Sequence, residues 1–383
     1  MIYADNAATS FPKAPGVADA MRDYLDRIGA SPGRSAHRLS IEAARIVFEA
    51  RETLAALLGM DDSSRMIFTP GATFGINAAL LGLLRHGDEV IASSMEHNAV
   101  MRPLRHLEGE RGVRVRVAQT DGSGLVDPRQ LGDLVTDRTR LVAVMHASNV
   151  TGTVQPVAEV SREIGPVPLL IDGAQSIGSL PVDLSRLGPC LYAFSGHKGL
   201  LGPPGIGGLC IGEGIDLEPL VRGGTGSRSE REEQPDFLPD LHEAGTPNAV
   251  GIAGLLAATR YVTERSVMSI REHELALFSR LADGLRGIPG VTLFGTADPE
   301  RQLATASITI DGLSPSDAAH ILDREHAILV RPGLHCAPSA HRTIGTFPAG
   351  TIRISLGPFN TADDVESILE AVADLAQNQT PPG

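Results

Sequence analysis

Only two lysines, Lys13 and Lys198, stand in a chain of 383 residues that carries 31 arginines. Solvated positive charge is left to arginine, so a lysine set in "FSGHKGLLG" (194–202), after an apolar stretch and among glycines, calls for a separate reason. An amine in such a setting can form a Schiff base with an aldehyde once burial or a neighbouring charge lowers its pKa. Other chemistry-bearing residues follow apolar segments in the same way. Asp172 ends "PLLID", His97 follows "EVIAS" in "SSMEHNAV", and Asn149 follows "LVAVMHAS". "TPGAT" (69–73) turns into an apolar-periodic helix whose first amides, with the Thr73 hydroxyl, make an anion seat.

Together these residues meet the demands of pyridoxal phosphate. That cofactor needs an acid at its pyridine nitrogen, donors for its phosphate and a group flat against its ring. Asp172 supplies the acid, His97 an imidazole for the ring face, and Thr73, Ser195 and His197 phosphate contacts. Asn149 and Gln175 are placed to bond the ring hydroxyl or the Schiff-base region. Each residue also has a plainer reading: Asp172, Thr73 and Asn149 as caps or turn formers, His97 as a structural histidine, Gln175 as a surface amide. Cys336 lies in "RPGLHCAPSAH", a loop with glycine and two prolines, whereas Cys190 and Cys210 sit inside apolar runs. His335 and Arg331 are expected to favour its thiolate.

The elements that must carry these groups alternate. Strands are expected at 89–93, 113–119, 141–147, 168–174, 190–194 and 207–212, and "RMIFTPGAT" reads as strand, turn and helix start. Helices are expected at 15–28, 41–58, 97–110, 127–136 and 156–164. Several strands are apolar on both faces, which suits a buried, mostly parallel sheet between helices. Residues 223–247 form a glycine-rich, then charged, then proline-bearing excursion. Beyond it come helices at 248–264, 270–286, 315–325 and 361–376, with strands at 291–294, 303–310, 327–331 and 351–356, the pattern of a smaller α+β domain. The fold class is α/β, with a large domain over 15–247 and a smaller one built from 1–14 and 248–383.

Composition narrows the partners. The formal net charge of −13 disfavours a phosphate-backbone ligand, so no direct nucleic-acid binding is expected. The start "MIYADNAATSF" has neither the basic nor the apolar region of a leader, and no apolar run approaches membrane-spanning length. Three cysteines make no CxxC pair and no disulfide framework. A cytoplasmic protein with free thiols, no metal and no membrane partner is expected.

"YADNAATSF", "TPGATFGIN", "MEHNAV", "ASNVTG", "IDGAQSIGSLPVD", "AFSGHKGLLGPPGIGGL", "EAGTPN", "RPGLHCAP" and "IRISLGPFNT" together resemble the class V pyridoxal-phosphate enzymes of the cysteine desulfurase and selenocysteine lyase group. The resemblance spans nearly the whole chain in order. It implies a fold type I homodimer with sites at the subunit interface. Lys198 would be the Schiff-base lysine, Asp172 the partner of the pyridine nitrogen, and His97 the residue stacked on the ring. Thr73, Ser195 and His197 would hold the phosphate with Thr246 of the other subunit, and Gln175 would contact the ring oxygen. Asn149 and Arg353, with Arg331, would bind the substrate carboxylate. Cys336 would take sulfur from L-cysteine as a persulfide, releasing alanine, for delivery to a sulfur-acceptor protein. The alternative is a selenocysteine lyase, or another class V aminotransferase or lyase, in which Cys336 is dispensable. Two departures stand out: Leu334-His335 replaces the usual pair of histidines, and the 223–240 excursion differs from its counterpart.

Overall fold

The computed structural model describes residues 1–33, 35–296 and 298–377; residues 297 and 378–383 of the expected smaller domain lie outside them. The chain enters through a two-residue strand, β1 (Ile2–Tyr3). A seven-stranded sheet follows, made of β2 (Met66–Thr69), β3 (Glu89–Ser93), β4 (Arg114–Ala118), β5 (Thr139–Met145), β6 (Leu169–Asp172), β7 (Cys190–Ser195) and β8 (Gly207–Ile211). Their spatial order is β2-β8-β7-β6-β5-β3-β4. Strands β4, β3, β5, β6 and β7 pair in parallel, whereas β8 runs antiparallel to both of its neighbours. The reversal has a local cause: residues 196–206, between β7 and β8, hold no helix, and a parallel return needs a longer crossover.

Every residue of β3, β6, β7 and β8 is buried, as strands covered on both faces require. Alternate side chains feed two apolar layers. On one face Val142, Val144, Ile171, Tyr192 and Phe194 pack with Leu54 and Leu58. On the other Leu141, Ala143, Leu170, Leu191 and Ala193 pack with Ile76, Leu80 and Leu104. The helix Ala249–Arg265, counted above with the smaller domain, sets Ile252, Leu255 and Leu256 into the first of these layers.

A second sheet contains β9 (Val291–Phe294) and β10 (Thr305–Ile310). After the short β11 (Ile328–Leu329), which pairs with β1 in parallel, it gains β12 (Arg331–Gly333) and β13 (Thr351–Ser355). Its order, β12-β13-β10-β9, is antiparallel throughout. Helices Val267–Arg286, Pro315–His326 and Ala362–Gln377 cover it around Leu281, Ile308, Leu322, Ile354 and Ile368. The single strand expected at 327–331 is thus two, because the chain changes partner at Val330. A short helix, Pro338–Thr343, follows the Cys336 loop and was not expected from the sequence.

The 223–247 excursion is tied down. Gly245 N donates to the Gly224 carbonyl at 2.8 Å, closing its ends. The Glu243 carboxylate takes Arg51 Nη1 and Nη2, each at 2.8 Å, and accepts from Phe68 N at 2.7 Å. Arg51 is buried under the Phe68 ring, 4.7 Å from its centroid. Glu243→Ala leaves that guanidinium uncompensated and should lower unfolding stability by about 3 kcal/mol, read from the urea midpoint. Adding Arg51→Met should recover most of the loss; a midpoint unchanged in the single variant would refute the assignment.

Candidate active site

The C-terminal ends of β3, β5, β6 and β7 are where an open α/β sheet presents its ligand groups. His97 follows β3, Asn149 follows β5, Asp172 closes β6 and Lys198 follows β7. These four line one cleft of about 230 Å³ together with Thr73, Gln175, Ser195, His197, Arg331, Cys336 and Arg353. Thr246 does not line it and lies exposed in the excursion.

The lysine loop is tightly built. Gly202 N donates to the Gly196 carbonyl at 2.8 Å, and Leu201 N to the Lys198 carbonyl at 2.8 Å, with Leu201 at a φ of 60°. Burial pulls the Lys198 amine down to about 8; Asp172 and Cys336 oppose that, while Arg353 and Arg331 add to it. At pH 7 such an amine is free in about one molecule in ten, against about one in several thousand for an ordinary lysine. Acylation of Lys198 in cofactor-free protein should therefore rise with pH through a midpoint near 8 and level off above it. A midpoint near 10, as in the denatured chain, would contradict this.

The second lysine stands beside the first. Lys13 Nζ donates to the carbonyl of His197 at 3.0 Å and to Thr9 Oγ1 and Ser10 Oγ at 3.1 Å. Ser10 N reaches the same carbonyl at 2.9 Å. The N-terminal segment is thus fastened to the residue preceding Lys198, and burial lowers the Lys13 amine to about 8 as well. Nothing in the local sequence of Lys13 announces this, apart from the scarcity of lysine.

Asp172 Oδ1 accepts from Ala174 N at 3.0 Å, so the turn-capping role is real and leaves Oδ2 to the cleft. Thr73 does not cap its helix: the N-cap is Gly71, with no side-chain cap bond, and Ser195 Oγ accepts from Ala72 N at 3.0 Å. Thr73 is left exposed at the first turn, where the amides and helix dipole favour an anion. Gln175 Nε2 donates to the Ala7 carbonyl at 2.9 Å. His97 Nδ1 accepts from Ala99 N at 3.0 Å, which puts the proton of the neutral ring on Nε2. Burial holds its pKa below the usual value, Asp172 working against that and Lys198 with it.

Arg331 and Arg353 are direct partners across β12 and β13. Like charges opposite one another are unfavourable, and the nearest answer is Asp5, whose Oδ1 accepts from Arg353 Nη2 at 2.7 Å. Two guanidiniums with one carboxylate between them leave a seat for a second carboxylate. Arg353 is 2% exposed and its Nε has no hydrogen-bond partner. Asp5 escaped sequence reasoning because its partner lies 348 residues away.

One expectation is corrected. His335 is not a cation supporting the Cys336 thiolate: its ring is buried, with Nε2 3.0 Å from the Arg331 carbonyl. Burial, then the Arg353 charge, lowers its pKa to about 3. His341, 5.4 Å away between ring centroids, is lowered to about 4 by burial. Both rings are neutral at physiological pH. Cys336 itself is exposed, unlike Cys190 and Cys210.

The family model for class-V aminotransferases matches residues 2–368. The chain belongs to the class-V aminotransferase family. Class-V membership implies use of pyridoxal phosphate. Among curated proteins, a probable cysteine desulfurase of Methanothermobacter thermautotrophicus is 36% identical, over 98% of this chain and 94% of its own length. One from Pseudomonas aeruginosa is 38% identical, over 97% and 93%. Among solved structures, the apo cysteine desulfurase of Thermococcus onnurineus superposes with a TM-score of 0.92 at 32% identity, covering 98% of this chain and 95% of that one. This class-V chain therefore has the expected α/β architecture, a large mixed sheet with a smaller α+β domain. Among the described residues no cluster of three or more His, Cys, Asp or Glu suits a metal ion, and no helix is long and apolar enough to cross a membrane.

Proposed function

We propose that the protein is a pyridoxal-phosphate-dependent cysteine desulfurase that moves the sulfur of L-cysteine onto Cys336 as a persulfide and releases L-alanine. The observation that carries this reading is an exposed cysteine in the same cleft as Lys198 and the Arg331–Arg353 pair. A transaminase has no use for a thiol at that place.

The residues present fit the cofactor. Lys198 has a lowered pKa, Asp172 is buried with one oxygen free for the cleft, and the buried His197 Nδ1 has no partner. Lys198 and Asp172 would hold its aldehyde and pyridine ends, His97 its ring face, Gln175 its ring oxygen, and Thr73, Ser195 and His197 its phosphate. When bound, the group withdraws electrons from the substrate α-carbon. Arg353 and Arg331 seat the carboxylate of the amino acid, with Asn149 beside them. Lys198, free base in a useful fraction near neutral pH, takes the α-proton. His97, neutral with its proton on Nε2, can give that proton and regain it. The Cys336 thiolate attacks the substrate sulfur; the carbon–sulfur bond breaks, a sulfur–sulfur bond forms, and the β-carbon gains a proton to become the alanine methyl.

The same proposal includes a homodimer in the cytoplasm. Thr246, exposed and away from its own cleft, would complete the anion seat of the other copy beside the open end at Thr73 and Phe74. It also includes a division near residue 247 and delivery of the persulfide sulfur to an acceptor protein. An amino-acid panel assayed for alanine and sulfide tests the activity. Alanine from L-cysteine in step with persulfide on Cys336 is the expected result; keto-acid formation without sulfur release would overturn it.

A further inference from the structure

The backbone around Cys336 is held from two sides, by Asn98 and by the cleft residue Asn149. Its own carbonyl accepts from Asn98 N at 2.8 Å, next to His97. The carbonyl just ahead of it, that of His335, accepts from Asn149 Nδ2 at 2.7 Å. His335 and Cys336 are consecutive residues with φ of 48° and 57°. Side-chain-bearing residues keep that left-handed conformation in succession only where surrounding contacts impose it. The His335 ring, which also borders the cleft, is tied to the Arg331 carbonyl, 3.0 Å from its Nε2.

Asn149 is the link between this loop and the carboxylate seat. Its backbone carbonyl accepts from Arg353 Nη1 at 3.0 Å, and its Oδ1 is buried without a partner. An amide nitrogen has two hydrogens. One is spent on His335, and the second is left for a group in the cleft that Asn149 lines. The residue can therefore touch an amino-acid carboxylate and the cysteine loop at once.

We infer that Asn149 is a positioning residue for the Cys336 thiol, fixing the loop against the Arg353 seat and so setting the reach of sulfur to sulfur. This rests on the desulfurase reading for its purpose, yet the contact to His335 acts whether or not an amino acid is bound.

The test compares cofactor-loaded parent with Asn149→Ala and the shape-matched Asn149→Leu, first without amino acid and then with L-cysteine. Hydrogen exchange at the Ala337 amide, bonded to Leu334 at 2.8 Å, should quicken at least about fivefold in both variants. Alkylation of Cys336 by iodoacetamide should change at least about threefold, with buried Cys190 and Cys210 unreactive throughout. At saturating L-cysteine, persulfide formed in a single turnover should fall at least about tenfold, a loss in kcat rather than in KM alone. Unchanged exchange and alkylation with only a raised KM would overturn the inference, leaving Asn149 as a carboxylate contact. Should the alanine variant loosen the whole fold, the leucine variant decides. Failure of the desulfurase reading shows separately, as absence of alanine and sulfide from the parent.

Discussion

Lys198→Ala should retain the fold and lose turnover of L-cysteine by at least about a thousandfold, since the group that would move the α-proton is gone. Parent enzyme loaded with pyridoxal phosphate and treated with borohydride should carry a pyridoxyl group on the peptide containing residue 198. The variant should carry none there. Lys13 is the informative control: its amine is lowered to about the same value and lies against the neighbouring backbone, yet it does not line the cleft. Lys13→Ala should keep the label on Lys198. A Lys198 variant within tenfold of the parent would refute the role, whatever Cys336 does.

Cys336→Ser should abolish the persulfide and slow sulfide release from L-cysteine by about a hundredfold or more, equal to about 2.7 kcal/mol of barrier. The thiol is exposed and faces the cleft, and its pull on Lys198 marks it as an electrostatic neighbour of the amine. With L-selenocysteine, a better leaving group, the same variant should lose far less. Equal rates for the parent and the serine variant on L-cysteine would instead assign the chain to the class-V members that work without a thiol.

The ends of the central strands were legible because each is a short apolar run closed by a polar residue. Glu89–Ser93 was located to the residue, and the Lys198, Asp172, His97 and Asn149 positions follow from such runs. Strand direction was less legible. The reversal of β8 depends on what fills residues 196–206, not on the composition of the strand itself. His335 misled because proximity in sequence to Cys336 suggested a cation, whereas its ring is buried with Nε2 against a backbone carbonyl. Asp5 and Lys13 were invisible for a different reason. Their partners, Arg353 and the His197 carbonyl, are 348 and 184 positions away, and no local pattern encodes such meetings.

The opening segment is fastened at both of its ends. Ile2 and Tyr3 pair with Ile328 and Leu329, Asp5 grips Arg353, and Ser10 and Lys13 hold His197. During synthesis these residues leave the ribosome before their partners, Asp5 by 348 positions and Lys13 by 184. The pocket around Lys198 therefore acquires its final wall only once translation has passed residue 355, and a nascent chain stalled earlier presents its lysine in an unfinished setting.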